Sequence, residues 1–218
     1  MRKFVAAALA ALGLGLAAPA SADFVITGGA STPTVGNDFL ATLNNHGLTA
    51  FKTSLGGLSV NGPGTVTIYA FANESDLFTA FQRDGVTKAS ENNGPGLFFF
   101  DPAGDHFPGT LVDQFAVLAG DAFCNACAHD FDFIVTGGGS GGFNAGVGDA
   151  GFGVYYNPND LSAIALAYDD GRAIDDDNHD DLIVIARFDG VVPEPATWTL
   201  MIAGFAALGF AVRRRSVA

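Results

Sequence analysis

Basic residues are scarce in this 218-residue chain, with 10 Lys plus Arg against 23 Asp plus Glu and a formal charge of −13. A nucleic-acid binder neutralises phosphates with a Lys/Arg surface, and too little of one is present, so nucleic acid is excluded as a partner. Only two cysteines occur. A second C-x-x-C to complete a tetrahedral zinc site is therefore missing. No tandem repeat period is apparent either. What is present is a 49% hydrophobic fraction and 20 Phe, enough for one domain with a real core at the usual allowance of about 150 residues per domain. Wholesale disorder is excluded on the same ground.

The two ends are the most legible parts. Residues 1–22 start with Arg2 and Lys3, run through Ala, Leu and Gly, and close with Ala20, Ser21 and Ala22. A basic start, a short apolar run and a small-residue close predict a signal peptide cut by signal peptidase between Ala22 and Asp23. At the far end, Pro193, Glu194 and Pro195 keep an extended approach to an apolar stretch. That stretch holds Trp198, Leu200, Ile202, Phe205, Leu208, Phe210 and Val212, and Arg213, Arg214 and Arg215 follow at once. Trp198 suits a membrane interface and the arginines hold the end on the cytoplasmic side, so a transmembrane helix is expected. At about 25 Å for residues 196–212, it falls short of a bilayer core of about 30 Å, a marginal anchor.

This order of pieces, a signal peptide and then Val-Pro-Glu-Pro-Ala, one apolar helix and an arginine cluster, resembles the PEP-CTERM protein-sorting family. The resemblance covers both termini and implies an exosortase substrate from a Gram-negative-type bacterium. A membrane transpeptidase would cut near Pro193, Glu194 and Pro195 and pass the protein to the cell surface or outside. It also implies that the apolar tail is a transient membrane anchor and that Arg213, Arg214 and Arg215 stop transfer. The expected organisation is residues 1–22 as signal peptide, 23–190 as an acidic extracytoplasmic domain and 191–218 as the sorting tail.

The domain between the signals carries 22 Asp plus Glu against 5 Lys plus Arg, a net −17. That charge favours solubility, disfavours charge-driven membrane binding and provides carboxylates for divalent cations. Period-two alternation recurs at Val66, Ile68, Ala70; at Phe131, Phe133, Val135; at Phe152, Val154, Tyr156; at Ile164, Leu166, Tyr168; and at Leu182, Val184, Ala186, Phe188. With Gly/Pro turns between, this predicts an all-β domain, a β-sandwich or jelly-roll-like fold. Short helices are expected over residues 37–45, stopped near Gly47, and 75–83, capped by Ser75 or Asp76 and stopped at Gly85. The glycine tract over 137–153 predicts a mobile loop. The aromatic excess, densest at Phe98, Phe99 and Phe100, is expected to fill the core.

Several motifs bear on chemistry. G-x-S-x-G at 138–142 lacks the following helix that a nucleophile elbow needs. G-x-G-x-x-G at 146–151 is followed by a strand pattern, which offers no helix N-terminus to a pyrophosphate. Cys124 and Cys127 in an exported chain predict a local disulfide, with redox or metal chemistry involving His129 as the alternatives; Ala128 stands where covalent haem attachment needs His. Aspartates crowd residues 169–181, and alternate oxygens there make Asp175, Asp177 and Asp181 the natural ligands of a Ca²⁺ ion. An acidic turn whose side chains cap backbone amides explains the same residues equally well. The segment is similar to an acidic stretch common before PEP-CTERM tails. His46, His106, His129 and His179 are scattered, which predicts surface or loop positions and no legible triad.

The expected role is therefore non-catalytic, structural or adhesive, in the envelope or extracellular matrix. The alternatives are a Ca²⁺-dependent carbohydrate-binding module that recognises extracellular polysaccharide, and a secreted hydrolase.

Overall fold

The computed structural model describes residues 22–31, 37, 39–73, 78–90, 107–137, 142–169, 179–191 and 204–205. Its strands are β1 (Phe24–Ala30), β2 (Ala50–Val60), β3 (Gly64–Asn73), β4 (Phe78–Arg83), β5 (Val86–Ser90), β6 (Thr110–Val117), β7 (Phe131–Gly137), β8 (Ala145–Gly146), β9 (Phe152–Asn157), β10 (Asp160–Tyr168) and β11 (Leu182–Gly190). Among the described residues a short helix, α1 (Leu40–Asn45), lies between β1 and β2. The strands form a seven-stranded sheet in the order β1-β2-β9-β10-β11-β3-β6 and a four-stranded sheet in the order β5-β4-β7-β8. All pairings between them are antiparallel.

The alternating residues decide which face is buried. Val66, Ile68, Val154, Leu166, Val184 and Phe188 of the large sheet share one core with Phe81, Phe131 and Phe133 of the small one. Two sheets closing on a common apolar layer make a sandwich. Aromatic rings fill it: Phe81 lies 5.4 Å from both Phe131 and Phe133, and Phe123 stacks on Phe131 at 4.5 Å. The opposite face of the large sheet is also apolar at Ala165, Ala167, Ile183 and Ile185, and Phe39, Leu43 and Leu48 around α1 cover it. β10 and β11 are thus buried on both sides, and their sequence runs nearly unbroken apolar for that reason.

β2 changes layer. It joins β3 through residues 61–63, although β9, β10 and β11 lie between them in the sheet. Four strand spacings span about 19 Å, whereas the connection from Val60 to Gly64 reaches at most about 14 Å. The second half of β2 must therefore leave the plane. It does so where Ser54 takes a positive φ of 49° and the β1 pairing skips a residue between Thr27 and Gly28. Beyond the bend Leu58, Val60 and the paired Phe24 join the sandwich core.

Two expectations are corrected. The segment 75–83 is not helical where it is described: residues 78–83 are β4, with Ala80 and Phe81 buried. Gly85 is no helix stop. Asp84 and Gly85, at φ 55° and 71°, form the two-residue turn of the β4–β5 hairpin, the geometry that Asp-Gly favours. The described part of the glycine tract makes fixed contacts: Tyr168 donates its hydroxyl to the Phe143 carbonyl, and Asp149 caps the Gly146 amide at 2.9 Å. Among the described residues no helix is long and apolar enough to cross a membrane. The expected tail helix lies outside them, apart from residues 204 and 205, which are helical. Phe98, Phe99 and Phe100 also lie outside.

Candidate functional site

Three places carry the candidate chemistry. The first is the cysteine loop between β6 and β7. Cys124 and Cys127 are joined in a disulfide with Cα atoms 5.1 Å apart, so both sulfurs are consumed. The loop is pinned to β2, where Phe123 donates its amide to the Leu58 carbonyl at 2.9 Å, and it is closed on itself by Cys124 donating to the His129 carbonyl at 2.9 Å. This seats Phe123 fully in the core. The His129 ring lies edge-on to Phe115 at 4.7 Å, with Nδ1 3.4 Å from Asp84 Oδ2. Burial acts to raise the Asp84 carboxyl, but the Asp130 amide, His129 and Arg83 more than offset it and hold it below the ordinary carboxylate range.

The second place is the root of the acidic segment, where β10 ends and β11 begins. Asp169, His179 and Asp180 are almost wholly buried. His179 takes a positive φ of 53° and turns its ring inward, edge-on to Phe51 at 5.0 Å. Its Nε2–H donates to the Ala150 carbonyl at 3.0 Å, and Nδ1 lies 4.0 Å from Asp169 Oδ2. Asn37 closes the cluster, donating from Nδ2 to the Tyr155 hydroxyl at 3.0 Å and the His179 carbonyl at 3.1 Å. Of the surface or loop position expected for His179, the loop half holds, since it lies just before β11 outside any strand, but the residue is buried rather than at the surface. Its ring is a tether between the acidic segment and the glycine-rich turn. Of the Ca²⁺ ligands expected from the sequence, Asp181 is described and half-buried; Asp175 and Asp177 lie outside the described residues. Among the described residues no three His, Cys, Asp or Glu side chains converge to hold a metal.

Beside this root lies a cleft of about 500 Å³, lined by Phe143, Asn144, Asp149, Gly151 and Asp169 among others. Its polar groups are partly committed to the backbone: Asn144 Oδ1 accepts from the Val135 amide at 3.0 Å, and Asp149 from Gly146. Behind it Asp132 faces Asp130 and Asp149. Burial, then repulsion by Asp130 and a hydrogen bond shared with it, then Asp149, push the Asp132 carboxyl up to about 6. The glycines at 146, 148 and 151 serve turn and close approach; β9 follows them, as the sequence pattern predicted. Residues 138–141 of the G-x-S-x-G string lie outside the described set.

The third place is where the folded body begins and ends. Asp23 receives at its amide a hydrogen bond acceptor, Asn61 Oδ1, at 2.7 Å, and Asn61 donates its own amide to the Asp23 carbonyl at 3.1 Å. On the same turn the Pro63 carbonyl accepts from the Val191 amide at 2.8 Å, and Gly190 pairs with Gly64. The predicted signal-peptidase site and the root of the tail thus meet on residues 61–64, a segment legible in the sequence only as a turn. Pro193, Glu194, Pro195, Trp198, the arginines and Ala20 lie outside the described residues.

Residues 191–215 match the family model described as PEP-CTERM protein-sorting motif. No curated protein and no solved structure matches the chain. The motif indicates an exported protein that an exosortase sorts through a membrane-associated step.

Proposed function

We propose that this PEP-CTERM-bearing chain is a non-catalytic component of the cell envelope or extracellular matrix, released from a transient membrane anchor as a compact acidic β-sandwich. The observation that carries the reading is the coincidence of boundaries. The folded body begins at Ala22 and ends at Val191, beside the expected signal-peptidase site and at the first residue of the sorting motif. What lies between the two cuts is one self-contained unit. Its net charge of −17 over residues 23–190 supports a soluble, self-repelling exported particle. The described histidines support a packing role rather than proton transfer: His46 stacks on Phe107 at 4.0 Å, His129 leans on Phe115, and His179 is a buried tether.

A test is to fractionate cells and extracellular matrix and to assay the purified mature chain on ester, glycoside and peptide substrates. Recovery with the matrix and no turnover is the expected result. Turnover of any of these substrates by the purified chain would return the hydrolase reading.

One observation favours the saccharide-binding alternative. On the outer face of the large sheet the Arg187 guanidinium lies 5.8 Å from the Tyr69 ring centre and 5.5 Å from that of Phe107, which in turn carries His46. These half-exposed and exposed rings form a platform of the kind on which sugar rings stack. A glycan array probed with wild type and Y69A separates the readings; binding lost in Y69A would establish a lectin-like role, with or without Ca²⁺ at the acidic segment.

A further inference from the structure

The two processing signals meet at a notch built from glycines. A Cβ on Gly62 would lie 2.8 Å from the Ala22 Cβ, and one on Gly190 would collide with the same atom. Neither glycine has the positive φ that would otherwise select it, so close approach is the reason for both. Ala22 fills the notch and packs on the rim of the sandwich core. It is also the residue expected to leave with the signal peptide.

Distance makes this contact matter. From Val191 to Pro193 is two residues, about 7 Å extended, and to Pro195 about 13 Å. A body of some 170 residues has a radius of gyration of about 15 Å. The sandwich therefore crowds any enzyme that reaches for the Pro-Glu-Pro, and the reach grows by about 3.3 Å for each residue that frays from the end of β11. Fraying must break the Gly64–Gly190 pairing and the Val191–Pro63 hydrogen bond. In the precursor it must also lift Gly190 off Ala22. We propose that Ala22 latches the root of the sorting tail, and that removal of the signal peptide before Asp23 unlatches the end of β11 for the C-terminal cut. The N-terminal cut then precedes the C-terminal one. Asp23 stays in place afterwards, because its new α-ammonium keeps Asn61 Oδ1 as a charge-assisted partner.

This inference rests on the sorting reading and on cleavage before Asp23, and its test separates the three. A20L blocks the N-terminal cut while leaving Ala22 in the notch; A20L/A22G also keeps the signal peptide but empties the notch. Amide hydrogen exchange at Val191 is measured in full-length wild type, with its signal peptide removed and its tail intact, and in both variants. Ala22 is partly buried, so losing its methyl-sized contact corresponds to at most about fourfold in an equilibrium. Exchange about two- to fourfold slower in A20L than in wild type, returning to the wild-type rate in A20L/A22G, is the expected result. In cells holding the transpeptidase, C-terminal cutting followed by intact mass should keep the same order. Equal exchange in all three chains overturns the latch, and so does a C-terminal cut as fast in A20L as in wild type. Cutting that stays slow in A20L/A22G assigns the delay to the second membrane tether and also overturns it. A wild-type chain that is never cut at its C-terminus overturns the sorting reading, while the exchange result still judges the contact. An N-terminus other than Asp23 overturns the assigned cleavage site.

Discussion

His179 reaches across from the start of β11 to donate its Nε2–H to the Ala150 carbonyl, 3.0 Å away, from a backbone held at a φ of 53°. One buried ring thereby fixes both the exit from the acidic segment and the turn before β9. H179A removes that hydrogen bond and opens a void beside Phe51, for an expected loss of about 2–4 kcal/mol. Urea unfolding that shows a lower midpoint with an unchanged m-value checks it. A midpoint equal to wild type would show that the ring holds nothing.

Asp132 predicts the response to pH. Its folded pKa is raised to about 6, so the folded state binds the proton more tightly than the unfolded chain. Its contribution is favourable below about pH 4 and is lost as pH rises through 6. Asp113 and Asp84 act in the opposite sense. For Asp113, burial raises the carboxyl but Arg83 and Lys88 more than offset it, and the stability this pairing provides is lost as pH falls below about 4. Stability should peak between these limits. D132N should raise stability at pH 7.5 by about 1 kcal/mol, after discounting for the solvent that screens this partly exposed group, and should flatten the slope between pH 5 and 7. Thermal unfolding across pH measures it; an unchanged slope would remove the proton-sharing pair.

Gly109 and Gly85 both have positive φ, 101° and 71°, but differ in surroundings. A Cβ on Gly109 would collide with the Ala70 carbonyl of β3, while one on Gly85 meets nothing within 4 Å. G85A should cost about 1 kcal/mol from backbone strain alone. G109A adds a steric clash with the main chain and should cost about 3 kcal/mol or more. Equal losses in chemical denaturation would contradict the packing of β6 on β3.

The disulfide closes a loop of only four residues, so loop-closure entropy allows it about 2 kcal/mol. C124S/C127S should therefore fold and lose about that much, with the Phe123 amide exchanging faster. Failure to fold would mean that the loop holds more of the core than Phe123.

Much of the fold was legible because its strands obey period two. Ile68, Phe133, Val154, Leu166 and Val184 all point into the sandwich as their alternation required. The helical reading of 75–83 fails because Phe78 and Phe81 are spaced as in a helix turn and the irregular register at Phe78 and Thr79 breaks the period-two signal of β4, while the Asp84-Gly85 pair that marks the hairpin lies just beyond the segment. β2 was missed because Ser54 and two glycines break its alternation where it changes layer. His179 could not be read as buried from a neighbourhood of aspartates; only the β10–β11 pairing, which turns it toward Phe51, decides that. The meeting of Ala22, Asn61 and Gly190 depends on three distant segments, so no local pattern announces it. The tail motif, by contrast, is linear, and its order of residues needs no fold to be read.

The most direct measurement of the central claim is intact mass of the chain recovered from cells with and without the transpeptidase. The account predicts a product that begins at Asp23 in both and ends near Pro195 only where the enzyme is present. A chain that retains Ala218 in both strains would contradict it.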